Sequence, residues 1–362
     1  MNPNYLEILN DLKKRSNPEN IVNKRAILEK AMFSDSSILP YSDITEYIKL
    51  AMVGVPQEYT LKSKEAAKKV IEHLKKSHGS DVEFKFQGSV ETNTHILSEN
   101  DIDLVQVTSK SNSVDRAGLT KALNESHLFT PSEVVNLKKH SASFSQYQGN
   151  QMSDLRSLRI KSENVLSKAY KDVDISKPKA ICVNVKSPLR NVDVVTAVDY
   201  KTVNYMKKDV EYRKGIQIYD KEKDSKLPLE YPFWSIKRIN ERDIITDRRL
   251  KKMIRFLKNI KSDGKKIIGR KPLISSFDIN AICYNIPVIK YQYLHYLELV
   301  PVLYQQISKI IDDEDFRNNL KSVDGEEFIF KDNQGKVEEL QFLKNAVEKI
   351  NLKIKIQKLL AI

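Results

Sequence analysis

Cysteine is scarce in this sequence, with 2 residues in 362. Cys182 and Cys283 both lie in apolar runs, where buried and reduced thiols are expected. Two such thiols cannot form the disulfide framework of a small secreted domain, so we expect a cytoplasmic protein. The 6 histidines are scattered and form no Cys/His cluster, which argues against a structural zinc site.

Long apolar runs are also missing. No window approaches the roughly 20 apolar residues that a membrane helix needs. Residues 1–15 are polar and mixed in charge, so neither a secretory signal nor a spanning segment is expected there. A hydrophobic content of 40% with 30% charged residues is typical of a globular protein, and the chain is long enough for one large or two ordinary domains.

Acidic residues are the minority among the charges, 48 against 61 basic residues, for a net charge of +13. The excess is concentrated in residues 248–271, which contain a single acid, Asp263, among many lysines and arginines. A concentrated positive charge of this kind predicts an anionic partner.

One stretch, residues 87–103, organises the sequence as a polar loop between two strands. Residues 82–86 before it alternate apolar and polar, and residues 102–107 after it are rich in β-branched side chains. Asp101 and Asp103 lie two apart, so on a strand their side chains point to the same face. Paired carboxylates suit Mg²⁺, which completes its shell with waters and substrate phosphates.

Gly88 and Ser89 lie at the start of the same loop. Glycine lets the backbone approach a ligand closely, and backbone N–H groups with a hydroxyl can bind phosphate oxygens. Taken singly, a Gly-Ser pair is usually a turn and an Asp-x-Asp pair is usually solvated charge. The order of these residues between two strands, and the repulsion between Asp101 and Asp103 without a cation, favour the functional interpretation.

A third acid, Asp193, is embedded in the β-branched run of residues 191–198, which the spacing pairs with a strand at 180–185. A carboxylate there needs a buried partner or a metal. If this strand lies beside the strand of Asp101 and Asp103, three carboxylates converge, enough for two Mg²⁺, with Mn²⁺ as the alternative ion. Asp199 has the same strand parity and is the competing choice.

Two further features lie toward the C-terminus. In residues 250–258, Lys251, Arg255 and Lys258 share one stripe of a helix without interleaved acids, which favours phosphate binding over a solvated face. Further on, Ser275 and Asp278 match a capping box, which leaves Ser276 and Phe277 available for a nucleotide. The Phe277 ring is suited to stacking on a base, although its spacing equally fits a core position.

The order Gly88-Ser89, Thr94, Asp101-Ile102-Asp103 and a distant Asp193 resembles the nucleotidyltransferase superfamily of polymerase beta. The basic helix followed by Ser276-Phe277 is similar, more narrowly, to the bacterial relatives of cyclic GMP-AMP synthase and oligoadenylate synthetase, which make cyclic oligonucleotides in anti-phage defence. The resemblance covers about residues 42–287.

The resemblance implies an α+β fold: a mixed sheet with flanking helices packed on a C-terminal helical domain, two-lobed with a central active-site cleft. We expect an N-terminal helical segment at 1–41, including helices near 6–14 and 23–33, a nucleotidyltransferase core at 42–230, and the helical domain at 231–362. The predicted catalytic and metal-binding residues are Asp101, Asp103 and Asp193. The predicted nucleotide-binding residues are Gln87, Gly88, Ser89, Thr94, Lys251, Arg255, Lys258, Ser276 and Phe277.

By the same resemblance, the acids hold Mg²⁺ on a nucleoside triphosphate, Asp193 helps to activate the attacking ribose hydroxyl, and an effector protein binds the cyclic product. Without a Cys/His insertion, a nucleic-acid activator is not supported, and no oligomeric state is inferred. A CCA-adding or poly(A)-type polymerase would use the same acids on an RNA acceptor. A toxin that transfers a nucleotide is the lesser alternative.

Overall fold

The computed structural model describes residues 3–15, 42–97, 101–145 and 147–360. The helix predicted near residues 23–33 lies outside the described residues, whereas the one predicted at 6–14 is present. The helices are α1 Tyr5–Arg15, α2 Asp43–Met52, α3 Gln57–His78, α4 Arg116–Asn124, α5 Pro131–Ala142, α6 Gln151–Ala169, α7 Val203–Met206, α8 Pro232–Ile245, α9 Arg249–Ile268, α10 Ser276–Tyr284, α11 Leu299–Asp312, α12 Glu314–Asn318 and α13 Gln334–Leu360.

Strands form one mixed sheet. They are β1 Val82–Gln87, β2 Asp101–Thr108, β3 Ser113–Val114, β4 Val173–Asp174, β5 Ala180–Lys186, β6 Leu189–Lys201, β7 Gly215–Asp220 and β8 Ser225–Lys226. The main order is β1-β2-β6-β5-β4, and β3 and β7 also pair with β6. β2 runs parallel to β6, whereas β1 and β5 run antiparallel to their neighbours.

The two faces of this sheet differ because side chains alternate along each strand. Ile102 and Leu104 of β2, with Val192 and Val194 of β6, are fully buried in a cluster that also contains apolar residues of α3 and α6. The odd-numbered residues of the same segments therefore lie on the other face, away from these two helices.

A second, helical core is built from several distant segments. Tyr5 and Leu9 of α1 are buried together with Tyr47 of α2 and with apolar residues of α9 to α11 and α13. Each of these helices has one apolar face, and such a face is stable only when it packs against another.

The described residues divide into two compact units. One contains those of 1–55, 93–99 and 238–362, and the other contains those of 56–92 and 100–237. This division differs from the predicted ranges 1–41, 42–230 and 231–362, because the apolar faces of α1 and α2 belong to the helical core. The structure confirms the predicted fold class, because it has a mixed sheet with flanking helices and a C-terminal helical domain. None of the helices in the described parts of the chain is long and apolar enough to span a membrane.

Candidate active site

Three predicted acids share one face of the sheet. Asp103 lies directly opposite Asp193 in the parallel pairing of β2 with β6, and Asp101 lies opposite Asn191. Asp101 is exposed, and Asp103 and Asp193 are partly buried. This register confirms that the strand of Asp193 lies beside the strand of Asp101 and Asp103. The residues between the acids are buried on the opposite face of the sheet.

The acids are not a preformed metal cage. Among the described residues, no three carboxylate, imidazole or thiol groups are already gathered closely enough to coordinate one ion. Carboxylates repel each other when no cation is present, and Mg²⁺ takes one or two carboxylates while substrate phosphates complete its shell. The shared face therefore fits a metal that binds together with the nucleotide.

Gly88 lies at the turn after β1 and closes against one of these acids. Its φ is +76°, and a Cβ placed on it would lie 2.0 Å from Oδ2 of Asp103. Gln87 is the strand partner of Asp103. The turn is held by Thr92, whose Oγ1 donates to the carbonyl oxygen of Ser89 at 3.2 Å. The left-handed conformation therefore favours glycine at this position, and a Cβ there would displace the Asp103 carboxylate.

The competing acid, Asp199, has a different environment. It is 4% exposed, and its Oδ2 lies 3.4 Å from Nζ of Lys85 and 3.4 Å from Nζ of Lys214. A buried carboxylate between two ammonium groups is already charge-compensated. This environment favours Asp193 as the third acid.

Sequence reasoning missed two neighbours of the acids. Nδ2 of Asn191 donates to Oδ1 of Asp101 at 3.0 Å. Cys182 of β5 lies directly opposite Asp193, so its thiol and that carboxylate are neighbours on one face of the sheet. Burial, followed by the Asp193 carboxylate, raises the pKa of the Cys182 thiol to about 11. The only sequence signal was position, since both residues lie in strands next to the acids.

In the helical unit, the predicted capping box at α10 is confirmed. Ser275 Oγ accepts from the Asp278 backbone N–H at 3.0 Å, and the Asp278 carboxylate accepts from the Ser275 N–H at 3.1 Å. Ser276 is partly exposed in the first turn. Phe277 is 38% exposed and lies outside the helical core, so the alternative that it is a core residue is wrong.

The predicted phosphate-binding stripe is buried. Lys251 is 8% exposed, Arg255 is 7% exposed and Lys258 is 2% exposed, which excludes the alternative of a merely solvated face. Thr94 is also fully buried, in the short segment 93–99 that belongs to the helical unit. Asp263, the acid of the basic segment, is buried and accepts a hydrogen bond from Tyr47 Oη at 2.9 Å.

Arg255 has backbone partners that the sequence did not indicate. Its Nε donates to the carbonyl oxygen of Met52 at 2.7 Å, and its Nη1 donates to that of Asn93 at 2.7 Å. Burial lowers the pKa of Arg255 to about 10, so the side chain remains charged at neutral pH. Arg255 therefore links α2 and the segment 93–99 to α9, whatever else it binds.

We expect Arg255→Ala to lower the free energy of unfolding by about 3 kcal/mol, because two buried carbonyl groups lose a charged donor. Thermal melting measures this effect. If Arg255 also binds triphosphate, the affinity for the nucleotide, measured well below the melting temperature, also falls and its salt dependence weakens. Lys265→Ala is the control, since it removes an exposed charge from the same helix. An Arg255→Ala protein with wild-type stability would contradict the structural role.

For Phe277→Ala we expect the KM for the nucleotide to rise at least about fivefold with little change in melting temperature, since base stacking is worth ~1–3 kcal/mol. Steady-state kinetics and thermal melting separate the two effects. Phe328→Ala is a matched control, because Phe328 is a similarly exposed ring of the helical unit. An unchanged KM would remove Phe277 from the nucleotide site.

Comparison with known proteins gives the family. Residues 237–351 match the model of the cGAS/DncV-like nucleotidyltransferase C-terminal helical domain. A c-di-GMP synthase from Flavobacteriaceae sp. is 52% identical over 355 residues, which cover 97% of each chain. The chain belongs to the cGAS/DncV-like nucleotidyltransferases.

Two more relatives of this family align over nearly the whole chain. A c-di-GMP synthase from Capnocytophaga granulosa is 41% identical over 348 residues, 95% of this chain and 96% of its own. The solved structure of a STING-associated CdnE c-di-GMP synthase from Flavobacteriaceae sp. gives a TM-score of 0.86 at 50% identity, covering 99% of this chain and 100% of that chain.

Membership in the cGAS/DncV-like nucleotidyltransferases confirms the predicted activity. The protein is an enzyme that makes a cyclic dinucleotide second messenger in anti-phage signalling. Cyclic dinucleotide synthases of this kind generally use divalent metal ions. The CCA-adding, poly(A)-type and toxin alternatives are therefore set aside.

Proposed function

We propose that the enzyme joins two molecules of GTP into c-di-GMP, releasing one pyrophosphate at each of the two condensation steps, with Mg²⁺ bound at Asp101, Asp103 and Asp193. The observation that carries the site is the pairing of Asp103 with Asp193 across β2 and β6, with Asp101 on the same face. The choice of GTP is supported by the relatives that are 52% and 41% identical, which are c-di-GMP synthases.

The residues of the sheet unit have separate roles in this proposal. Asp101 and Asp103 would hold two metal ions, which would supply positive charge against the triphosphate and make the attacking hydroxyl more acidic. Asp193 orients the ribose 3′-hydroxyl and takes part in removing its proton. Gly88 and Ser89 present backbone N–H groups and a hydroxyl to phosphate oxygens, with Gln87 beside them.

The predicted nucleotide-binding residues of the helical unit, which includes the described residues of the segment 93–99, have their own proposed roles. Ser276 lies in the first turn of α10, where helix N–H groups and the dipole favour a phosphate. Phe277 stacks on a base, and Lys251 and Lys258 contribute positive charge together with Arg255 and the hydroxyl of Thr94. The same set of side chains would act in both condensation steps.

We place the enzyme in the cytoplasm, where GTP is abundant and where Cys182 and Cys283 stay as free thiols. We further propose that a STING protein binds the product, because the solved relative that is 50% identical is STING-associated.

The test is incubation of the purified protein with Mg²⁺ and each nucleoside triphosphate alone and in pairs, without nucleic acid. We expect a phosphatase-resistant product from GTP alone that co-elutes with c-di-GMP and binds a purified bacterial STING protein. A mixed product that requires ATP would contradict the choice of base. Product formation only after RNA is added would contradict the proposed acceptor.

A further inference from the structure

The carboxylates of the candidate site have neutral hydrogen-bond donors directly beside them. Asn191 is the strand partner of Asp101, and its Nδ2 lies 3.0 Å from Oδ1 of that acid. Cys182 is the strand partner of Asp193, so its thiol lies beside that carboxylate on the same face of the sheet. Strand partners point to the same face with their Cβ atoms about 5 Å apart, so each donor approaches its acid from the side.

The donor on Asp193 is itself supported. Lys177 lies beside both groups: interaction with the Cys182 side chain, and then with the Asp193 carboxylate, raises the pKa of its ammonium group. The backbone around Lys177 is fixed by Arg159, which is fully buried: its Nη2 donates to the carbonyl oxygens of Lys177 at 2.9 Å and Ala180 at 3.0 Å. The buried guanidinium group of Arg159 therefore fixes the backbone of the loop that leads into β5.

We propose that Asn191 and Cys182 are positioning residues that fix the orientation of the Asp101 and Asp193 carboxylates. This inference rests on the proposed assignment of these acids to the metal site. A carboxylate on a strand rotates about χ1 and χ2, and repulsion between neighbouring acids turns the groups apart when no cation is bound. A donor on one oxygen limits that rotation and leaves the other oxygen for its ligand.

Neutral donors suit this task better than basic side chains. A lysine or arginine in contact with each acid would neutralise its charge and so compete with the metal. Lys85 and Lys214 neutralise Asp199 in this way. Asn191 and Cys182 orient the carboxylates without neutralising them.

The first test compares Cys182→Ala with Cys182→Ser. We expect Cys182→Ala to lower kcat about tenfold and to raise the Mg²⁺ concentration for half-maximal rate, with little change in the KM for GTP, because one hydrogen bond to a charged group is lost. Cys182→Ser keeps a donor and should restore most of both values. Cys283→Ala is the control, because this buried cysteine lies in the helical unit.

The second test applies the same measurements to Asn191→Leu, which keeps the bulk of the side chain and removes the donor. A readout independent of turnover is Mn²⁺ binding, followed by the loss of the free-ion EPR signal in the presence of a non-hydrolysable GTP analogue. We expect Asn191→Leu and Cys182→Ala to bind Mn²⁺ several-fold more weakly at unchanged melting temperature.

Variants of the acids themselves distinguish a failure of the proposed metal site from a failure of the positioning role. If Asp101→Ala and Asp193→Asn keep wild-type turnover, the assignment of the acids is wrong. A second outcome is that those variants are inactive while Asn191→Leu and Cys182→Ala keep wild-type kcat, Mg²⁺ dependence and Mn²⁺ binding. In that case the assignment of the acids is kept and the positioning role is overturned. A Cys182→Ser variant as impaired as Cys182→Ala would likewise overturn it.

Discussion

In a variant that carries both Asp101→Ala and Asp103→Ala, we expect cyclic dinucleotide synthesis to fall at least about a hundredfold, a loss of ~2.7 kcal/mol in transition-state stabilisation. The reason is that β2 supplies two of the three acids assigned to the site, and Asp193 alone cannot hold the metal ions that the triphosphate needs. Product formation from GTP is measured by chromatography at saturating Mg²⁺.

The same variant should keep its fold. Asp101 is exposed and Asp103 is partly buried, and removing two neighbouring negative charges relieves their repulsion. We therefore expect the melting temperature without Mg²⁺ to be unchanged or slightly raised. Stabilisation by Mg²⁺ together with a non-hydrolysable GTP analogue should disappear. Turnover above about a tenth of the wild-type value would contradict a metal site at these acids.

The placement of the acids could be predicted because it depends on short-range rules. The alternation of Ile102 and Leu104 with Asp101 and Asp103 sets their faces as soon as the segment is a strand. The neighbouring strand that carries Asp193 could be identified by its β-branched run. Its parallel register with β2 is a long-range property, so the sequence supported only a conditional statement about convergence.

Burial of the basic residues could not be predicted from the sequence. A charge run gives no information on distant backbone groups, and Arg255 binds carbonyl groups 203 and 162 positions away in the chain. The burial of Arg159 could not be predicted for a similar reason. With Glu163 it forms an i,i+4 pair that is typical of an exposed helix face, yet Arg159 is fully buried and its remaining donors bind a loop.

The grouping of α1 and α2 with the helical core was also outside the reach of local patterns. Apolar residues at helical spacing predict that one face of a helix is buried, but they do not identify the partner of that face. Tyr47 illustrates this: its hydroxyl donates to Asp263, which is 216 positions away. The predicted boundary at residue 42 followed the start of a helical pattern after Pro40, whereas the compact units follow packing.

The strongest discrimination is expected between Asp193→Asn and Asp199→Asn, which make the same chemical change on one strand. Asp193 is partly exposed and lies opposite Asp103. Its amide variant keeps shape and hydrogen bonding but loses the negative charge that the metal ions and the ribose hydroxyl require. We expect kcat to fall at least about a hundredfold, as for loss of other groups of a catalytic site, with little change in stability.

Asp199→Asn should show the opposite pattern. Asp199 is buried between Lys85 and Lys214, so the amide leaves two ammonium groups without their shared counter-charge. Breaking a buried ion pair in this way costs about 3 kcal/mol of stability, which thermal melting detects as a fall of several degrees. Measured at a temperature where both variants are folded, kcat should stay near the wild-type value in Asp199→Asn. Equal losses of kcat in the two variants, or the reverse order, would show that the third acid of the site is not Asp193.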